Sequence, residues 1–204
     1  MTGQASPILA AHVQEARAAK AKNIIDMALD FTAMKWLFPK GTTPVILQQL
    51  EVTFAKLGSI REQKDYDQLH VEFCLWFNQS IVRAQKKEQR EKGAAIRRSS
   101  YGQAAKVLDI SAKVYVYYCA MPSPDVAGTL VPLLHGPLDN QIIKHLIERF
   151  PSAGIRSGTL QDVDRTKYEI LQSLVSKEIA EDFGSAIWPV QYDDVMFRRL
   201  NRQP

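Results

Sequence analysis

Cysteine is scarce in this sequence: among 204 residues only Cys74 and Cys119 occur. Two thiols, each inside an apolar stretch, do not supply the framework of bridges that stabilises small secreted folds. Long hydrophobic runs are also missing, because Pro122, Pro124 and Asp125 interrupt the most apolar region before it reaches the roughly 18 apolar residues of a spanning helix. We therefore expect neither a disulfide framework nor an integral membrane protein.

Several sequence motifs that define enzyme classes are missing as well. The chain has no G-x-x-x-x-G-K-[ST], no G-x-G-x-x-G after a strand and no G-x-S-x-G, so a P-loop, a dinucleotide fold and a nucleophile elbow are unsupported. Its four histidines form no H-E-x-x-H, and His70 with Cys74 supplies only half of a zinc site. We expect no metal and no cofactor. The N-terminus lacks the pattern of a secretory signal, so we expect a cytoplasmic protein.

What is present predicts a helical globular domain. The composition is 46% hydrophobic and 24% charged, which is typical of a chain that buries its own core. Apolar residues recur at helical spacing almost throughout, whereas alternating, strand-like runs are nearly absent. We expect one all-α domain, spanning residues 1–204 and built from about seven or eight helices, with residues 1–60 as a candidate small helical lobe.

Capping residues, prolines and glycines divide the periodic segments. Ser99 or Ser100 is the expected N-cap of a central helix. The predicted helices span residues 8–38, 44–57, 65–92, 100–120, 124–134, 137–150 and 164–182, followed by a short helix in the tail. In this prediction the third helix continues from an apolar face directly into a run of basic residues.

That basic segment, residues 83–98, is the strongest functional signal. It holds seven basic and two acidic side chains, a net charge of +5 in a chain whose total is +4. Such a stripe fits the phosphate backbone of duplex DNA, since no aromatic residue in the run offers a platform for single strands. The alternative is a solvated helix end. The predicted nucleic-acid-binding residues are Arg83, Lys86, Lys87, Arg90, Lys92, Arg97 and Arg98.

A second signal pairs "SYGQAAKVLDISAKVYVYYCAMPSP" with "LLHGPLDNQII". A partly desolvated lysine on the first helix, Lys113, and a carboxylate at the start of the next, Asp139, suit amine attack on carbon with stabilisation of the developing positive charge. Lys106 is a competing nucleophile. Structural alternatives remain open: Asp109 and Lys113 have the spacing of a surface ion pair on a helix, and Asp139 suits a helix first turn.

These residues resemble the helix-hairpin-helix base-excision DNA glycosylases, in particular oxoguanine-glycosylase-like proteins of bacterial genomes. The resemblance covers about residues 100–150 and places Lys113, in "SAKVYVYY", on the family's catalytic lysine and Asp139, in "GPLD", on its catalytic aspartate. It implies an all-α fold, a base flipped into a pocket, and excision or strand-lyase chemistry without a metal.

Two functional hypotheses follow. The first is a protein that engages duplex DNA through residues 83–98 and acts on it as a base-excision glycosylase or lyase. The second is a non-catalytic helical adaptor or regulator, whose basic segment binds nucleic acid or an acidic protein partner.

Overall fold

Helices form nearly all of the regular structure in this computed structural model, which describes residues 7–85, 91, 93, 95–156 and 158–201. Within those residues there are eight α-helices and no β-strand apart from a single isolated bridge. The prediction of one compact all-α domain is confirmed. Four residues of the predicted DNA-binding set, Lys86, Lys87, Arg90 and Lys92, lie outside the described residues.

Eight α-helices are numbered here in chain order, and short 3₁₀ turns connect several of them. Two helices continue into a wider π-helical turn, α4 through Lys113–Tyr118 and α7 through Ile179–Phe183. The bounds are α1 Pro7–Phe31, α2 Thr42–Ala55, α3 Gln63–Ser80, α4 Tyr101–Ala112, α5 Pro124–Leu130, α6 Asn140–Arg149, α7 Arg165–Glu178 and α8 Tyr192–Asn201.

Helix α4 lies at the centre of the fold and is buried on nearly every side. Its start is fixed by a capping box, in which Gln103 N donates to Ser100 Oγ (3.1 Å) and Ser100 N donates to Gln103 Oε1 (3.0 Å). Gly102 then allows a close approach by a neighbouring turn, because a Cβ there would lie 2.6 Å from Val163 Cβ and 2.7 Å from Leu160 O. The expectation of a cap at this point is confirmed at Ser100.

Helix α6 begins later than residue 137, where the sequence predicted it. Asp139 is its N-cap, with extended backbone, and the Asp139 carboxylate accepts a hydrogen bond from Ile142 N at 2.8 Å. An acid at this position satisfies an amide that has no partner within the helix. Asp139 is therefore a capping residue and not a member of the first turn.

The predicted continuation of α3 into the basic segment is wrong. The helix ends at Ser80, Ile81 is extended, and Val82 pairs with Arg98 in an antiparallel bridge, with Ser99 N donating to Ile81 O at 3.0 Å. Two β-branched residues in succession favour extended backbone. Pairing with a later segment then supplies hydrogen bonds that the helix would otherwise have provided.

The first predicted helix also ends early. Its last residue is Phe31, and Ala33 adopts a left-handed conformation (φ 53°) before a 3₁₀ turn at Lys35–Leu37. The segment from Ala33 to Leu37 therefore leaves the helix axis and lines one of the cavities described below.

A buried carboxylate attaches the C-terminal helix to the body. Glu178, on α7, accepts hydrogen bonds from Tyr192 OH (2.7 Å) and His145 Nε2 (2.9 Å). Arg149 and Arg199 lie within 3.7 Å of it, so the buried charge is compensated. Helices α6, α7 and α8 are thereby held together. Among the described residues, none of the helices has the length and apolar character that crossing a membrane requires.

Candidate functional site

Two cavities meet around Asp139. One has a volume of about 820 Å³ and the other about 630 Å³, and both are lined by Asp139, Gln141 and Phe197. We call the combined depression the Asp139 groove. It is built where the start of α6 faces α8, the end of α4 and the segment after α1.

Three large aromatic side chains line the groove and remain exposed to solvent. Trp36 is 75% exposed, Phe197 65% and Tyr118 51%. They come from three separate elements, the turn after α1, helix α8 and the π-helical turn after α4. Exposed aromatics gathered in a concave surface indicate a binding site better than scattered ones do.

Cationic side chains also line the groove: Arg83, Lys106 and Arg198. Arg83 is the first residue of the basic segment, and Arg83 N donates to Arg97 O at 2.9 Å. The two ends of the basic segment therefore lie side by side at the edge of the groove. Arg97 and Arg98 are exposed there.

Lys113 lies at one end of this groove but behind two carboxylates. Its side chain is buried, with Nζ at 2.6 Å from Asp193 Oδ1 and 2.7 Å from Asp194 Oδ1. Burial by itself would lower the pKa of Lys113, but the two carboxylates outweigh it and the pKa is raised. Asp193 and Asp194 line the cavity together with Asp139, whereas Lys113 does not.

The surface ion pair between Asp109 and Lys113, one of the structural alternatives that the sequence left open, is not formed. Both side chains are buried, and Asp109 is turned toward a different set of partners. Asp109 Oδ1 lies 3.1 Å from His70 Nε2, and Tyr168 OH donates to Asp109 Oδ2 at 2.8 Å.

We call His70, Asp109, His135 and Tyr168 the histidine cluster. His135 Nδ1 lies 3.0 Å from Tyr168 OH, and the ring of His70 stacks on that of Tyr168 with centroids 4.8 Å apart. The members come from α3, α4, the segment before α6, and α7, so four elements meet at one polar point. One ligand atom each from His70, Asp109 and His135 lie within 4.8 Å of one another.

A third cavity, of about 370 Å³, opens onto the histidine cluster. His70, His135 and Tyr168 all line it. Lys64, Arg165, Asp67 and Glu169 also line this cavity, so its wall carries charges of both signs. The cluster is thus reached from outside although most of its atoms are buried.

Sequence reasoning missed the histidine cluster. Its members are far apart in the chain, and no spacing rule connects His70, Asp109 and Tyr168. One signal was present: the apolar face of α3 carries His70 between Tyr66 and Phe73, all three buried. A buried histidine needs a polar partner from another element, because an unsatisfied ring nitrogen is costly.

Comparisons of this chain with protein-family models, with curated proteins and with solved structures find no match.

Proposed function

We propose that this protein binds duplex DNA through the ends of the basic segment and accommodates an unstacked nucleotide in the Asp139 groove. One observation carries the proposal: exposed aromatic side chains and the first arginine of the basic segment line the same groove. The aromatic platform that the basic segment lacks in sequence is supplied by other elements.

Each part of the groove has a matching part of a nucleotide. Arg83, Lys106 and Arg198 suit phosphate oxygens, and binding through them is expected to weaken as salt rises. Trp36 and Phe197 offer faces on which a base stacks, worth about 1–3 kcal/mol per base. The side-chain amide of Gln141, which also lines the groove, suits the hydrogen-bonding edge of that base.

Variants of two exposed phenylalanines test the stacking role. We expect Phe197→Ala to weaken binding to a duplex with one unpaired nucleotide by roughly 5- to 150-fold, the equivalent of one stacked base. Phe31→Ala is the control, since Phe31 is 62% exposed and lines neither cavity. Fluorescence anisotropy measures both affinities. Equal affinities for the two variants contradict the proposal.

Base excision by Lys113 and Asp139 is a narrower hypothesis within this function. Attack by an amine needs its lone pair, and the contacts of Lys113 with Asp193 and Asp194 favour the ammonium form. Lys106, the competing nucleophile, lines the groove without those contacts. Borohydride trapping on abasic DNA distinguishes the two, because the adduct is lost in Lys106→Ala or in Lys113→Ala according to which amine attacks.

The alternative function, an adaptor for an acidic protein, is tested with the same materials. Neutralising Arg97 and Arg98 weakens binding in either case. Only DNA binding gives an affinity for duplex that falls steeply between low and moderate salt.

A further inference from the structure

We propose that the histidine cluster is a binding site for one divalent transition-metal ion of the zinc type, held by His70 Nε2, a carboxylate oxygen of Asp109 and His135 Nδ1. Two imidazoles and a carboxylate are a common ligand set for such ions. This proposal does not depend on the DNA-binding function.

The separations between the ligand atoms suit a small ion. His70 Nε2 and Asp109 Oδ1 are 3.1 Å apart, and the three ligand atoms all lie within 4.8 Å of one another. Ligand atoms about 2.0–2.2 Å from zinc in tetrahedral geometry are about 3.3–3.5 Å apart. The separation between His70 and Asp109 is already close to this spacing, whereas the wider one, up to 4.8 Å, must shorten as the side chains rotate toward the ion.

Groups outside the ligand set orient the two rings as metal-binding histidines require. A carboxylate only accepts, so His135 Nε2, 2.9 Å from Asp67 Oδ1, must carry the hydrogen that it donates. That arrangement leaves the His135 Nδ1 lone pair pointing into the cluster. His70 Nε2 likewise carries the hydrogen that it donates to Asp109 Oδ1, so metal binding at Nε2 moves this hydrogen to Nδ1, where Tyr101 OH lies 3.4 Å away as an acceptor. Such outer partners accompany most metal-binding histidines.

The count of hydrogens leaves one ring nitrogen of the cluster available to a metal. Tyr168 has one hydroxyl hydrogen but lies between two acceptors, Asp109 Oδ2 at 2.8 Å and His135 Nδ1 at 3.0 Å. The His135 Nδ1 lone pair is thus left without a protein donor beside the third cavity. A metal ion bound there would use this lone pair and would also neutralise the Asp109 carboxylate.

Access from the third cavity leaves room for a further ligand. His70 and His135 line that cavity, and an ion between them faces it. Three protein ligands and one open position are the arrangement of a zinc ion that binds water or an exchangeable ligand.

From the sequence we expected no metal, because metal-binding motifs are recognised by spacing within a short segment. Here the three ligands come from α3, α4 and the segment before α6. No local motif describes such a site, so the lack of a metal-binding motif in the sequence is not evidence against it.

Metal titration of the purified, untagged, chelator-treated full chain tests the proposal. We expect one Zn²⁺ per chain by calorimetry and by elemental analysis after dialysis, and a visible absorption band when Co²⁺ replaces Zn²⁺. His135→Gln is expected to lower the affinity at least tenfold.

A matched histidine serves as control. His145 is as exposed as His135, 17% for each side chain, and it too is bonded to a carboxylate, that of Glu178, outside the cluster. His145→Gln should bind Zn²⁺ as the parent does. The proposal is overturned if no stoichiometric binding occurs, or if the two variants lose affinity equally. Circular dichroism of both variants separates lost binding from lost folding.

Discussion

Asp109 and Asp139 stand in contrasting environments although the sequence suggests both as helix-associated partners of Lys113. Asp109 is buried, and its oxygens are occupied by His70 and Tyr168. Asp139 lies at the wall of an open groove, where its carboxylate caps α6. The difference shows that the environment of each acid depends on the elements that pack against it. The neighbours of the acid along its own helix do not reveal that environment.

The same contrast separates two kinds of site. Around Asp139 the groove presents large aromatic faces and cations to solvent, which suits a polymer such as DNA. Around Asp109 a few donor atoms converge in a small cavity, which suits an ion. Substitutions at the two acids should therefore differ in the size and in the nature of their effects.

The largest effect is expected from Asp109→Ala. It removes the partner of the buried His70 ring and of the Tyr168 hydroxyl, and breaking a buried pair from one side costs about 3–5 kcal/mol. Urea denaturation measures the free energy of unfolding. A loss below 1 kcal/mol would show that these groups find other partners and that the cluster is not a structural unit.

Asp139→Ala is expected to be milder, about 1 kcal/mol, because only the N-cap of α6 is lost. Asp139→Asn keeps an oxygen acceptor at the cap and should leave the free energy of unfolding almost unchanged. Comparing both variants in denaturation and in DNA binding separates the capping role from a role in the groove. The assignment as a cap fails if the asparagine variant is as unstable as the alanine variant.

Much of the fold was predictable because it depends on local chemistry. The cap at Ser100 and the helical periodicity act within a few residues, and both are confirmed. The end of α3 at Ser80 was not predictable, since it depends on pairing with residues 97–99. The partners of Lys113 were missed for the same reason: Asp193 and Asp194 arrive from the last helix, 80 residues away in the case of Asp193.

The last expected effect concerns pH. Burial raises the pKa of Asp193 to about 6, against the lowering influence of the Lys113 ammonium. The folded state then holds a proton that the unfolded state releases near pH 4, so this group's contribution to stability is full below pH 4 and declines as pH rises to 6. Relative to Asp193→Asn, the parent should lose stability over this window. A parent that gains stability relative to the variant would contradict the assignment.

Binding of an unstacked nucleotide in the Asp139 groove is tested by the affinity of the unaltered protein for two duplexes that differ by one unpaired nucleotide, each measured across a range of salt. We expect the same dependence on salt for both, because the phosphate contacts are shared. We also expect an affinity about tenfold or more higher for the duplex with the unpaired nucleotide, because only that nucleotide reaches the aromatic faces of Trp36 and Phe197. Equal affinities at every salt concentration would contradict the proposed function.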